Sequence, residues 1–324
     1  PPVRDPSASR RTAARRAIPR ARAVLAWVLA LAAAAAPAPA AVAPGPDRAA
    51  PKSSGSVELK VLTYNVEGLP LLTDLDRFKR IGRILAERRR LGDEPDVVLL
   101  QEAWVKKAGR IRDRAGYAYA IRGVTGQKGI FYNSSGLEIL SDYPIVARYG
   151  RTFNSCSFPE CFVSKSILGV TLQIPGVPYP VQVFTTHLQA HTIHDAIRMR
   201  QIRDIDTFFH RIGFGRDVAI FAGDFNFKPR HPSYHQFLQD FPVEDAGYFC
   251  LQDPGDCTIV VGTHGRTDLT DVWKTTDDRH FFYQPEGSAL RIEPVRLIRN
   301  FTQKVDGERL SDHWGYEVHY RLSW

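Results

Sequence analysis

The sequence predicts a layered α/β sandwich built as one large domain. Strand-length runs of apolar and β-branched residues recur from residue 57 to the C-terminus, and two longer stretches between them carry apolar residues at helical spacing. The strand-like runs outnumber the helical ones, which favours sheets packed in layers over a strict βαβ repeat. No internal repeat is visible along the chain.

The run "VELKVLTYNV" (57–66) opens the series. The segment "DLDRFKRIGRILAERRR" follows and spaces Leu75, Phe78, Ile81, Ile84 and Leu85 on one helical face. Next come "DVVLLQEAW" (96–104), "LEILS" (137–141), "SILGVTLQI" (166–174) and "VQVFTTHL" (181–188), each bounded by Gly, Pro, Asn or Asp. A second helix is expected in "AIRMRQIRDIDTFFHRI", with Ile197, Ile202, Ile205 and Phe209 on its apolar face. The series closes with "DVAIFAGDF" (217–225), "HFFYQ" (280–284) and "WGYEVHY" (314–320).

Residues 1–43 do not read as part of this domain. Basic "RRTAARRAIPRAR", apolar "AVLAWVLALAAAAA" and small-residue "PAPAAVA" together have the pattern of a secretory signal peptide. The apolar stretch is too short and alanine-rich for a membrane span. A flexible linker over 44–56 and a catalytic domain over 57–324 are expected to follow, and the product is expected to be secreted. The leader holds seven Arg and one Asp, so the formal +8 of the chain falls to 36 basic against 34 acidic groups, or +2, without it. That balance removes a global basic charge as an argument for nucleic acid. Four cysteines in two close pairs, Cys156 with Cys161 and Cys250 with Cys257, suit local disulfides in an exported protein and lack the C-x-x-C spacing of a zinc knuckle.

Polar residues recur where the strand-like runs end: Asn65, Glu102, His187, Asp224 with Asn226, and Asp312 with His313. In "FAGDFNFKP", Gly, Asp, Asn and Pro are also ordinary turn residues, so that motif alone reads equally as a turn. Five such endings together form a pattern, and the chemistry that uses it is metal-assisted hydrolysis of a phosphate ester. Glu102 offers the hard oxygen that Mg²⁺ prefers. A histidine beside a carboxylate can take a proton from water. Asp312 and His313 are adjacent and face apart on a strand, so the base would be oriented by Asp278 or Asp224. Asn and a second His can donate to charge growing on phosphate oxygens. His187, His191 and His194 have zinc-like spacing, but His187 ends a strand-like run and so does not share a helix with the other two.

The ordered motifs "TYNVEG", "QEAW", "GLEILSDYPI", "THLQA", "GDFNFKP", "DRHFFY" and "SDHWG" resemble the endonuclease/exonuclease/phosphatase superfamily from about Leu59 onward. The resemblance implies a four-layer α/β sandwich, two mixed β-sheets flanked by helices, with the site at one edge. It implies Glu102 as principal Mg²⁺ ligand helped by Asn65, with Asp312 as a further metal contact and Mn²⁺ or Co²⁺ able to substitute. It makes His313 the general base, Asp224 its orienting or water-positioning partner, and Asn226 and His187 phosphate-contacting donors. Asp278 matches the acidic position of the family's "DRIFY"-like strand, where Arg279 and His280 interrupt the usual apolar pattern.

Within the superfamily, "THLQA" followed by "RMRQIRDIDTFF", and "SKSILGVTLQI" with Lys165 as a substrate contact, resemble neutral and secreted sphingomyelinases. This implies a monomeric enzyme acting on a phospholipid headgroup at a membrane surface, with aromatics of "HFFYQPEGSA" or "DVWK" as interfacial candidates. A secreted nuclease is the alternative, with nucleic acid as substrate and "RIEPVRLIRNFTQK" as a local basic track. An inositol phosphate or phosphoinositide phosphatase is a third reading. A binding module with a dead site is disfavoured because Glu102, Asp224, Asn226 and His313 are all present.

Overall fold

Residue Ser56 already lies in a strand, one position ahead of the expected domain start. The computed structural model describes residues 54–68, 76–123, 135–252, 256–261 and 273–324; the expected leader, most of the linker and Leu75 lie outside the described residues. The first half forms β1 (Ser56–Asn65), α1 (Asp76–Arg90), β2 (Val97–Gln101), α2 (Gly109–Ala115), β3 (Tyr119–Arg122), β4 (Glu138–Ser141), β5 (Ile145–Thr152) and β6 (Ser166–Leu172). The second half adds β7 (Val181–Thr186), α3 (Asp195–Ile212), β8 (Ala219–Asp224), α4 (Pro232–Asp240), β9 (Glu244–Asp245) and α5 (Ala246–Gln252). It ends with β10 (Thr258–Val261), β11 (Asp278–Tyr283), β12 (Arg291–Asn300) and β13 (Gly315–Ser323).

Two sheets result, ordered β10-β12-β13-β1-β2-β4-β3 and β5-β6-β7-β8-β11-β9. Each has a parallel pair near its centre, β1 with β2 and β7 with β8, among antiparallel neighbours. A parallel pair needs a crossover, and here the crossovers contain α1 and α3. Both faces of the central strands are therefore covered, and their sequences read as continuous apolar runs. Leu59, Val61, Val97 and Leu99 of one sheet meet Leu168, Val170, Val183 and Ile220 of the other in the inter-sheet core. Leu62, Tyr64, Val98 and Leu100 point outward beneath Phe78, Ile81 and Leu85 of α1 and Ile111 of α2. Phe184 and Phe221 do the same beneath Ile202, Ile205 and Phe209 of α3 and Phe237 of α4. The result is the four-layer sandwich, helices, sheet, sheet, helices. Each fully buried Leu, Ile or Phe contributes about 1.5–3 kcal/mol of transfer free energy.

The buried face of α3 differs from the apolar one in the sequence. Ile197 is only half-buried, whereas Arg198 is fully buried, its guanidinium donating to Gln189 O, His191 O and Asp195 Oδ1. Those partners satisfy the charge locally, which lets an arginine occupy a core position. Helix α3 then stops at Gly213, whose φ of +68° is left-handed, with Phe214 N–H closing on Phe209 O. On the other side, Arg88 of α1 forms a two-pronged pair with the buried Glu317 of β13 at 2.6 and 3.1 Å, pinning helix to sheet.

The interruption in "DRHFFY" is also resolved by partners. Arg279 donates to Phe227 O and Thr276 O, and His280 lies between Tyr316 O and Tyr320 Oη. Phe281 and Phe282 are core residues and Trp273 packs over Arg279, so the aromatics expected at a lipid interface from these stretches are engaged inside the protein. Disulfides Cys156–Cys161 and Cys250–Cys257 are both formed.

Candidate active site

Topology places the chemistry at one edge. Parallel strands β1 and β2 end together, as do β7 and β8, delivering Asn65, Glu102, His187 and Asp224 to the same end of the sandwich. Strand β11 runs antiparallel to β8, so it begins there, with Asp278 paired in register with Asp224. The turn before β13 brings Ser311, Asp312 and His313 alongside, with Ser311 Oγ donating to Asn65 O at 2.7 Å.

Among the described residues, six non-glycine residues have positive φ, and Glu67, Glu102 and Asn226 are three of them, at +48°, +58° and +52°. Left-handed backbone costs about 1–3 kcal/mol at such residues, so strain is concentrated where the strand ends must turn side chains into the site. Gly68 completes the corner, since a Cβ there would lie 2.1 Å from the Glu102 carbonyl oxygen.

The amide of Asn65 is the hub. Its Nδ2 donates to Glu102 Oε1 at 3.0 Å and to Asp224 Oδ2 at 2.9 Å, while its Oδ1 accepts from Glu67 N. Asn65 thus enters the site by its nitrogen and orients two carboxylates beside the ligand cluster. Glu102 Oε2 and Asp278 Oδ1 are buried without a hydrogen-bond partner. One ligand atom from each of Glu102, His187 and Asp224 lies within 4.8 Å of the others, and the same holds for Asp224, Asp278 and His313. An orphaned carboxylate oxygen beside a second carboxylate fits a divalent cation that prefers oxygen.

His313 is oriented by Asp278, not by Asp224. Nδ1 lies 2.9 Å from Asp278 Oδ2, and Nε2 faces Asp224 Oδ2 at 3.7 Å. The cross-strand register accounts for this: it sets Asp278 and Asp224 side by side, and the turn at Ser311 presents the Nδ1 edge to Asp278. Asp312, expected at the metal, is exposed and lies in neither ligand group. Its neighbour His313 takes the inward position, as adjacent residues facing apart require.

His187 and Lys165 form a second unit. Lys165 Nζ donates to His187 Nε2 at 2.9 Å, to Leu188 O at 2.6 Å and to Glu160 Oε2 at 2.5 Å. All three ammonium hydrogens are engaged, and with Nε2 of His187 accepting, the ring hydrogen sits on Nδ1, which is buried without a hydrogen-bond partner. The His187 ring is stacked against Trp104, with centroids 5.8 Å apart. Glu160, inside the Cys156–Cys161 loop, was not legible as a site residue; its position between two cysteines was the available signal. His191 is exposed and lies outside the cluster. Asn226 donates one Nδ2 hydrogen to Leu188 O at 3.0 Å, and its backbone N–H donates to Asp224 Oδ1.

Electrostatics follow from burial. Desolvation pushes the Asp224 carboxyl up to about 7, against the attraction of His313. Glu102 is likewise raised by burial, partly offset by the Asn65 amide. Burial alone would lower His313, but the carboxylates of Asp278 and Asp224 overturn it and carry the imidazole to about 11. Burial, then the Lys165 charge, hold His187 neutral, well below the usual histidine range. Crowded buried carboxylates that bind protons tightly also favour a cation as counter-charge.

The sequence model of the Endonuclease/Exonuclease/phosphatase family matches residues 62–313. Sphingomyelin phosphodiesterase 2 of Mus musculus is 25% identical over 237 residues, 64% of this chain and 53% of that protein, so the chain spans about half the length of this relative. Among solved structures, sphingomyelinase C from Streptomyces griseocarneus is similar with a TM-score of 0.57 and 23% identity, covering 81% of this chain and 99% of that one. TDP2 of D. rerio, complexed with a single-strand DNA product, is similar with a TM-score of 0.58 and 18% identity, covering 81% and 98%. These two likenesses carry the fold alone. The family match spans most of the chain and ends on the His313 that the fold brings to Asp278, and the chain belongs to the endonuclease/exonuclease/phosphatase family.

Proposed function

We propose that this chain is an exported, metal-dependent phosphodiesterase that hydrolyses sphingomyelin to ceramide and phosphocholine. The observation that carries the hydrolase reading is the His313–Asp278 pair facing the two carboxylates that Asn65 bridges. Asp278 holds Nδ1, so Nε2 is the edge that meets a water. That water passes a proton to Nε2 while its oxygen bonds to phosphorus and the bond from phosphorus to the ceramide oxygen breaks, the departing oxygen taking a proton from solvent water. Glu102 and Asp224 would hold Mg²⁺, with Asn65 fixing both carboxylates; Mn²⁺ and Co²⁺ are the expected substitutes. A bound divalent cation polarises the phosphoryl oxygens and offsets the charge that grows on them. Of the carboxylates that keep the proton on His313, Asp224 would be engaged by the metal, which would weaken its share of that attraction, while Asp278 stays on Nδ1. Asn226 keeps a second amide hydrogen for a phosphate oxygen.

The choice of ester is supported by the similarity to sphingomyelin phosphodiesterase 2 of Mus musculus and by the "THLQA" and "SKSILG" segments. Export is supported by the basic, apolar and small-residue order of residues 1–43 and by two disulfides, which persist in oxidising compartments. A monomer at a lipid surface is the working form. Phosphocholine release from sphingomyelin vesicles, run beside nicking of plasmid DNA, tests the reading.

A further inference from the structure

A cavity of about 230 Å³ opens beside the catalytic histidine, lined by Asp278 and His313 at one end and by Ile259, Leu297, Arg299 and Trp314 at the other. The far end is built around the Trp314 indole. The Arg299 guanidinium lies 4.0 Å from the ring centroid and that of Arg309 lies 4.4 Å from it. Neither arginine forms an ion pair among the described residues, and Arg299 Nε is buried without a hydrogen-bond partner. Of the carboxylates that line the cavity, Asp278 holds His313, Asp277 pairs with Lys228 at 3.3 Å, and Asp312 is exposed at its edge. Burial, then the charge of Arg309, hold the Arg299 guanidinium below its ordinary range.

Arginines at a protein surface ordinarily find a carboxylate, and their planar forks match oxyanions. Here the three carboxylates that line the cavity form no ion pair with either arginine. Two cations already lie against the Trp314 ring, which makes it a poor host for a trimethylammonium group, since that would need an aromatic face free of like charge. An oxyanion suits the same place: it would satisfy Arg299 Nε and relieve the repulsion between the two guanidiniums. The cationic residues belong to β12 and to the turn before β13, so they sit on the same frame as His313.

We propose that Arg299 and Arg309, both held against the Trp314 ring, form an oxyanion-binding subsite beside the His313–Asp278 pair. It takes a phosphate, sulfate or carboxylate group of the substrate other than the phosphate being hydrolysed. The subsite is independent of which ester is cleaved; if sphingomyelin is the substrate, its choline lies elsewhere.

The test is a titration of the full chain with inorganic sulfate, followed by tryptophan fluorescence and by calorimetry, once with Mg²⁺ and once with chelator. Saturable binding is expected in both conditions. Arg299→Gln is expected to weaken it about tenfold, the scale of one charge-assisted hydrogen bond, and the exposed Arg309→Gln, which leaves the core untouched, to weaken it less. Co-sedimentation with vesicles containing phosphatidic acid, against neutral vesicles, separates the sources: capture that Arg299→Gln abolishes assigns the subsite to a lipid-borne oxyanion, and sulfate binding alone assigns it to a soluble one. Binding lost in chelator, absent altogether, or equal in wild type and both variants would overturn the subsite.

Discussion

The Nδ1 of His313 lies 2.9 Å from Oδ2 of Asp278, a contact between residues 35 positions apart that leaves Nε2 facing the carboxylate cluster. His313→Ala is therefore expected to lower kcat by at least ~100-fold, the ordinary scale of a general base. Asp278→Asn is expected to take most of the same factor from kcat with KM little changed, because it disturbs only the orientation and charge of the base. Steady-state kinetics on both variants check this; near-normal turnover in His313→Ala removes the role.

Glu102 contributes the orphaned carboxylate oxygen at the ligand cluster. Glu102→Gln is expected to weaken Mg²⁺ binding by at least about tenfold, since a neutral amide replaces a hard anionic ligand. Calorimetric titration with Mg²⁺ reads this directly. Unchanged affinity places the metal elsewhere.

Gly68 lies against the backbone of Glu102. Gly68→Ala would set a Cβ 2.1 Å from Glu102 O, so the Glu102 turn has to move. The expected result is a loss of about 1–3 kcal/mol in stability, the usual range for overpacking, together with weaker Mg²⁺ binding. Urea unfolding and the same calorimetric titration measure the two effects.

His280, two residues along β11 from Asp278, sets a pH dependence of stability. Burial holds its imidazole down at about 3, with Nε2–H donating to Tyr316 O and Nδ1 accepting from Tyr320 Oη. Between about 6.5 and about 3 the unfolded chain binds a proton that the folded protein refuses, so stability falls as pH drops through that window and is fully present above it. The slope contributed is at most about 1.4 kcal/mol per pH unit. His280→Gln is expected to flatten the acid limb of an unfolding-stability profile; an unchanged limb assigns acid sensitivity to other groups.

Much of this was legible in the sequence because the site residues follow apolar runs. Asn65, Glu102, His187 and Asp224 each terminate or follow a strand-like stretch and His313 sits just before one, and strand ends converge in a layered sandwich. Partnerships were not legible. The choice of Asp278 over Asp224 for His313 depends on cross-strand register, and the Lys165–Glu160 pair depends on a loop closed by a disulfide. Strand β12 was read as a basic track because Pro294 and its charged residues hide the period, although it pairs with β13 along nearly its whole length. Arg198 was passed over as a core residue because its burial rests on carbonyls brought in by the chain before α3.

The most direct test of the central claim is release of phosphocholine from sphingomyelin vesicles by the purified protein, with Mg²⁺ and with chelator, beside plasmid DNA in the same buffers. Mg²⁺-dependent phosphocholine release, abolished by chelator and by His313→Ala, with the DNA left intact, is the expected result. Nicked DNA with untouched lipid, or lipid hydrolysis that persists in chelator, would contradict the account.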